Sequence, residues 1–165
     1  MKQFDPVNVT VNGYKFHIFP FPAFKAANMS GELVSVLGPA LGSLLTLLGG
    51  NDEQEGSNLF DVDLEKSAPA IAGAFSSIDG DKIEGLLKRL LLSGKNITVT
   101  IDGETEYVSE DVLNEVFCGA VEGMFVLAFH VIKTNFGGFF KKFENLSGVV
   151  GKKLQEMKTP NDTEN

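Results

Sequence analysis

The sequence has no tryptophan, a single cysteine, two histidines and fewer bases than acids. Each shortage removes a class of explanation. A lone Cys118 rules out an internal disulfide and favours a reducing compartment. His17 and His130 lie far apart, and neither has a second His or Cys at metal-ligand spacing. No metal or catalytic role is expected of either. With 14 Lys and Arg against 22 Asp and Glu, the net charge is −8, which argues against a nucleic-acid or phosphate surface as the main function. The opening MKQFDPVNVTV has an early Asp and Pro and no long apolar run, so it does not read as a signal peptide.

Chemical motifs are missing too. Ser93-Gly94-Lys95 lacks the upstream glycine and the following Ser or Thr of a phosphate loop. Asp61-Val62-Asp63 and Asp79-Gly80-Asp81 are fragments of calcium loops without the remaining ligands, and both read as helix caps. Cys118, between Phe117 and Gly119, has no neighbouring group to activate it and is expected to be a small buried residue. No cofactor and no enzymatic activity are expected.

Apolar mass is what the chain does have. Hydrophobic residues make up 43%, with 14 phenylalanines against 2 tyrosines. A chain of 165 residues can bury roughly 70% of its unfolded surface, enough for one core without staples. The expectation is a single domain over 1–157, with a flexible acidic loop at 49–60 and a disordered tail at 158–165. The basic clusters Lys82–Arg89 and Lys141–Lys153 are mixed with acids or glycines and read as solvated helix faces.

Two hairpins are written in the sequence. Val7–Val11 and Tyr14–Phe19 alternate with period two around Asn12-Gly13, and Ile97–Ile101 is followed by Asp102-Gly103 and a return strand to Val108. A lone hairpin is only marginally stable, so the two are expected to form one small sheet within an α+β, mostly helical fold. Phe21–Ala27 predicts a short helix, with Ser30 or Asn28 capping the next segment. Leu33–Gly50 carries no charge, the lower edge of a membrane span. Gly38-Pro39 interrupts it, so a kinked helical hairpin or bent helix is favoured over the alternative, a membrane-active protein. Asp63 is expected to cap a helix from Leu64 to Ile78, its start shifted by Pro69. A further helix follows over Lys82–Leu92.

The longest pattern runs from Asp111 to Phe143. Apolar pairs recur every fourth position, predicting one helix capped by Ser109 and broken or bent at Gly137-Gly138. His130 falls on its polar line. Phe136, Phe139, Phe140 and Phe143 gather around Asn135 and the double glycine. Two readings stand: a core corner, or a face for an amphipathic helix of another protein. Asn135 lies on the apolar side and must find hydrogen bonds, either at the helix break or to a partner's backbone.

These residues carry a resemblance. Phe117-Cys118-Gly119, Met124-Phe125, Leu127-Ala128, Val131-Ile132 and Asn135-Phe136-Gly137-Gly138-Phe139-Phe140 resemble the C-terminal signature of tail assembly chaperones of long-tailed bacteriophages. Phe21-Pro22-Ala23-Phe24-Lys25-Ala26 and Leu37-Gly38-Pro39-Ala40-Leu41 are similar to that family's first helical block. The resemblance covers Phe19–Ala40 and Ile97–Phe143. It implies a non-enzymatic, mostly helical protein of the host cytoplasm, absent from the finished virion. Such a protein binds the tape measure protein, keeps it soluble and helps bring tail tube subunits to it. A homo-oligomer is a further option; no nucleic acid and no membrane is implied.

Overall fold

The computed structural model describes residues 5–48 and 66–156, and their side chains over 5–38 and 66–138. The acidic loop expected at 49–60, Asp61, Asp63 and the tail at 158–165 lie outside the described residues.

Both hairpins form where their turns predict. Asn12 (φ 52°), Gly13 (φ 83°), Asp102 (φ 50°) and Gly103 (φ 87°) all adopt the left-handed region. That is the two-residue turn geometry whose twist matches paired strands. The strands are β1 (Val7–Val11), β2 (Tyr14–Ile18), β3 (Ile97–Ile101) and β4 (Glu104–Tyr107). Antiparallel pairing of β2 with β3 joins the hairpins into one sheet of order β1-β2-β3-β4. The register sets Val9, Phe16 and Val99 side by side, and Val7, Ile18 and Ile97 next to them. Phe16, Ile18, Ile97 and Val99 are fully buried on that face. The opposite face is polar. There His17 Nδ1 meets Asn8 Oδ1 at 2.7 Å, His17 Nε2 meets Thr100 Oγ1 at 3.3 Å, and Thr100 Oγ1 meets Thr105 Oγ1 at 3.0 Å. One chain of polar contacts thus crosses all four strands.

The helices are α1 (Ala23–Leu48), α2 (Ala68–Ser76), α3 (Gly80–Leu91), α4 (Glu110–Phe117) and α5 (Val121–Glu156). Asp79 caps α3 by accepting from Lys82 N, and its apolar stripe Leu86, Leu87, Leu90 and Leu91 is buried. Ser109 caps α4 by accepting from Val112 N at 3.2 Å. Aromatic contacts lock the layers. Phe16 of the sheet stacks on Phe117 of α4 at 5.9 Å, and Phe75 of α2 stacks on Phe125 of α5 at 5.2 Å. Full burial of a side chain of this size contributes about 1.5–3 kcal/mol.

Several expectations need correction. α1 is one helix: Ser30 Oγ donates back to Ala27 O, and Asn28 Oδ1 accepts from Arg89. Helical backbone continues through Gly38-Pro39, so of the two expected forms the segment is a single helix and not a helical hairpin. The downstream shift expected from Pro69 is met: α2 begins at Ala68, with Pro in its first turn, where a missing N–H costs nothing. The stretch from Asp111 to Phe143 is not one helix. α4 ends at Phe117, Gly119 takes φ 75°, and α5 starts at Val121. The left-handed glycine just past the helix end turns the chain. Gly123 then lets α5 pass under α4: a Cβ there would sit 2.9 Å from Phe117 Cε1. Conversely, α5 is not broken at Gly137-Gly138, where the backbone stays helical. Cys118, expected to be buried, is exposed at this corner.

Candidate functional site

The N-terminal and C-terminal signature blocks meet. Pro20 and Pro22 flank Phe21 in the extended link between β2 and α1, and proline leaves that link without two of its own donors. Two asparagines satisfy what remains. Asn96 Nδ2 donates to Phe19 O at 3.0 Å, while Phe19 N donates to Asn96 O at 2.8 Å. Phe21 N donates to Asn135 Oδ1 at 2.6 Å. Asn135 Nδ2 in turn donates to Val131 O at 2.9 Å, one helical turn back. Asn135 therefore ties the start of α1 to the middle of α5, 114 residues away.

Phe136 is 3% exposed, its ring 6.3 Å from that of Phe21. Lys25 Nζ covers the other part of this corner, 4.9 Å from the Phe21 ring centroid and 2.7 Å from Ser93 Oγ. Partial burial, then the nearby Arg89 guanidinium, lowers the Lys25 pKa. Arg89 itself is paired with Glu32 and Asn28. Of the candidate residues, the structure brings Asn135 and Phe136 together with Phe21. Gly137 and Gly138 follow them in the same helix; the side chains of Pro39, Phe139, Phe140 and Phe143 lie outside the described residues.

His130 does not face open water as its helical position suggested. It is half-buried on α5, and burial, then the charge of Lys133, pushes its pKa down to about 4. The chain bends at Gly119, so the polar line drawn for one straight helix does not hold past that corner. Among the described residues, no group of three or more His, Cys, Asp or Glu gathers as a metal site. Among the described residues, no helix is long and apolar enough to cross a membrane, so the membrane alternative for Leu33–Gly50 is not favoured.

Two surface features escaped the sequence. Phe24, in the first turn of α1, is 94% exposed. An apolar groove of about 340 Å³ lies between α3, α4 and the start of α5, with Leu87, Leu113 and Phe125 among its walls. Their helical stripes were legible, but a groove depends on how helices are spaced, which periodicity does not encode.

Comparison with curated proteins and with solved structures returned no match. A family model described as "Phage tail assembly chaperone protein, TAC" matches residues 12–148. That span holds both signature blocks and the corner where Asn135 joins them, and the chain belongs to the phage tail assembly chaperone protein family.

Proposed function

We propose that this chain binds the tape measure protein during tail assembly in the host cytoplasm, keeps it soluble and helps recruit tail tube subunits. Family membership is the observation that carries this reading. It also points to a role without catalysis, outside the finished virion.

The proposed contact is the part of α5 beyond the Asn135 corner. Asn135 and Phe136 position it, and Phe139, Phe140 and Phe143 supply apolar surface for a partner helix. Three features support this. α5 is 36 residues long, about 54 Å at helical rise. α5 is packed against α2, α3 and β1, and its buried residues run from Phe125 to Phe136. The sequence continues past Phe136 with Phe139, Phe140, Phe143 and Leu146 at helical spacing. A net charge of −8 would keep a complex of apolar helices apart from its copies.

Co-expression tests the assignment. The tape measure protein of the same phage is expected in the soluble fraction with this chain and in the pellet without it. Equal insolubility in both cases would remove the proposal.

A further inference from the structure

The groove between α3, α4 and α5 has an uneven chemistry. Its interior is apolar, formed by Leu87 and Leu91 of α3, Leu113 of α4, and Met124 and Phe125 of α5. Its charged groups, Glu84, Lys88 and Glu110, are exposed and form one rim, and Asn114 is the remaining polar residue of the lining. Lys88 Nζ lies 2.8 Å from Glu84 Oε1 and 3.7 Å from Glu110 Oε1, so one lysine serves two exposed carboxylates. The trio keeps a net negative charge. Small-molecule sites carry polar groups that converge inside the pocket to fix orientation, whereas the charged groups here are exposed and paired with one another. An apolar groove lined by three helices suits another helix whose apolar residues recur every three or four positions.

We propose that this groove docks a basic, amphipathic helical segment of a tail protein. Its apolar side chains seat against Leu113, Met124 and Phe125, and its lysine or arginine lies beside Glu84 and Glu110. The charge of the occupant follows from the rim: an acidic helix would meet two carboxylates and a lysine already engaged, whereas a basic one relieves their shared deficit. The inference rests on the chaperone reading and adds a second contact to it, away from the far part of α5.

The probes are two synthetic amphipathic peptides with leucines at heptad a and d positions, one with lysine and one with glutamate elsewhere. The full chain is expected to bind the lysine peptide, and the glutamate peptide roughly tenfold more weakly. Met124→Glu is expected to weaken the lysine peptide roughly tenfold with the melting curve unchanged. This variant is more acidic than the parent, so loss of a basic ligand cannot be a bulk charge effect. If Met124→Glu melts early, Val121→Glu replaces it, at a groove position already 51% exposed. Glu84→Lys with Glu110→Lys is expected to weaken the lysine peptide and flatten its salt dependence. No binding by the parent chain, no preference between peptides, or unaltered affinity in the groove variants would overturn the proposal. Co-purification with the tape measure protein separates the two claims. No retention by the parent chain removes the chaperone reading; retention by the parent, together with lysine-peptide binding that Met124→Glu leaves unaltered, removes the groove alone.

Discussion

Gly119 and the pair Gly137-Gly138 lie in the same C-terminal stretch, and they do opposite things. The single glycine ends a helix and the double glycine does not. Glycine in a helix interior costs about 1 kcal/mol relative to alanine, which is too little to break a helix held from outside. At Gly137-Gly138 the preceding turn is so held, by Asn135 through Phe21 and by the buried ring of Phe136. At Gly119 the context favours stopping. Phe117 is anchored on Phe16, Cys118 N closes the last turn on Asn114 O, and φ 75° lies in the left-handed region that favours glycine. A helix break is thus set by what the flanking residues are packed against, more than by the number of glycines.

The comparison can be broken in several places. The largest effect is expected at Phe125, which follows the Gly119 corner and stacks on Phe75. Phe125→Asp buries a charge without a partner and should destabilise by about 4 kcal/mol or prevent folding, as read by denaturant melts. Unchanged melting would mean that α5 does not pack after the corner as described. Asn135→Ala strips the Phe21 N–H of its acceptor and should cost about 2 kcal/mol. If the variant melts like the parent, the clasp that carries the helix through the double glycine is not needed. Gly119→Ala forces a side chain into the left-handed region at a cost of about 1–2 kcal/mol. Gly137→Ala meets nothing within 4 Å and should instead stabilise by about 0.5–1 kcal/mol. Matching signs in these two variants would erase the contrast between the sites.

His130 offers a test in pH. Its folded pKa, about 4, lies below the usual 6.5, so the unfolded chain binds the extra proton first. Its contribution is complete above pH 6.5 and is lost as pH falls toward 4, after which it is flat. Allowing for solvent screening of a half-buried ring, the loss is about 1–2 kcal/mol. His130→Gln should flatten that limb of the stability curve, and an unaltered slope would place the ring in water.

Much of the fold was legible because its signals are local. Asn12-Gly13 and Asp102-Gly103 fix their turns by backbone geometry alone, and Asp79 and Ser109 cap helices through bonds three residues long. The corner at Gly119 was also signalled, by Phe117-Cys118-Gly119 followed by Glu122 in a new first turn, but the apolar pairs on either side hid it. What stayed hidden depends on distant partners. Nothing near Asn135 in the sequence points to Phe21, nothing near Asn12 points to the Val116 carbonyl it binds, and the burial of His130 follows from the placement of α5. Of the candidate residues, Asn135 and Phe136 were singled out by pattern, while their meeting with Phe21 and the groove at Met124 were not.

Amide hydrogen exchange, measured on the chain alone and bound to the tape measure protein, tests the central claim most directly. Residues 121–136 should exchange slowly in both samples, and residues 137–156 should slow markedly only in the complex. Unchanged exchange over 137–156 in a formed complex would contradict the account.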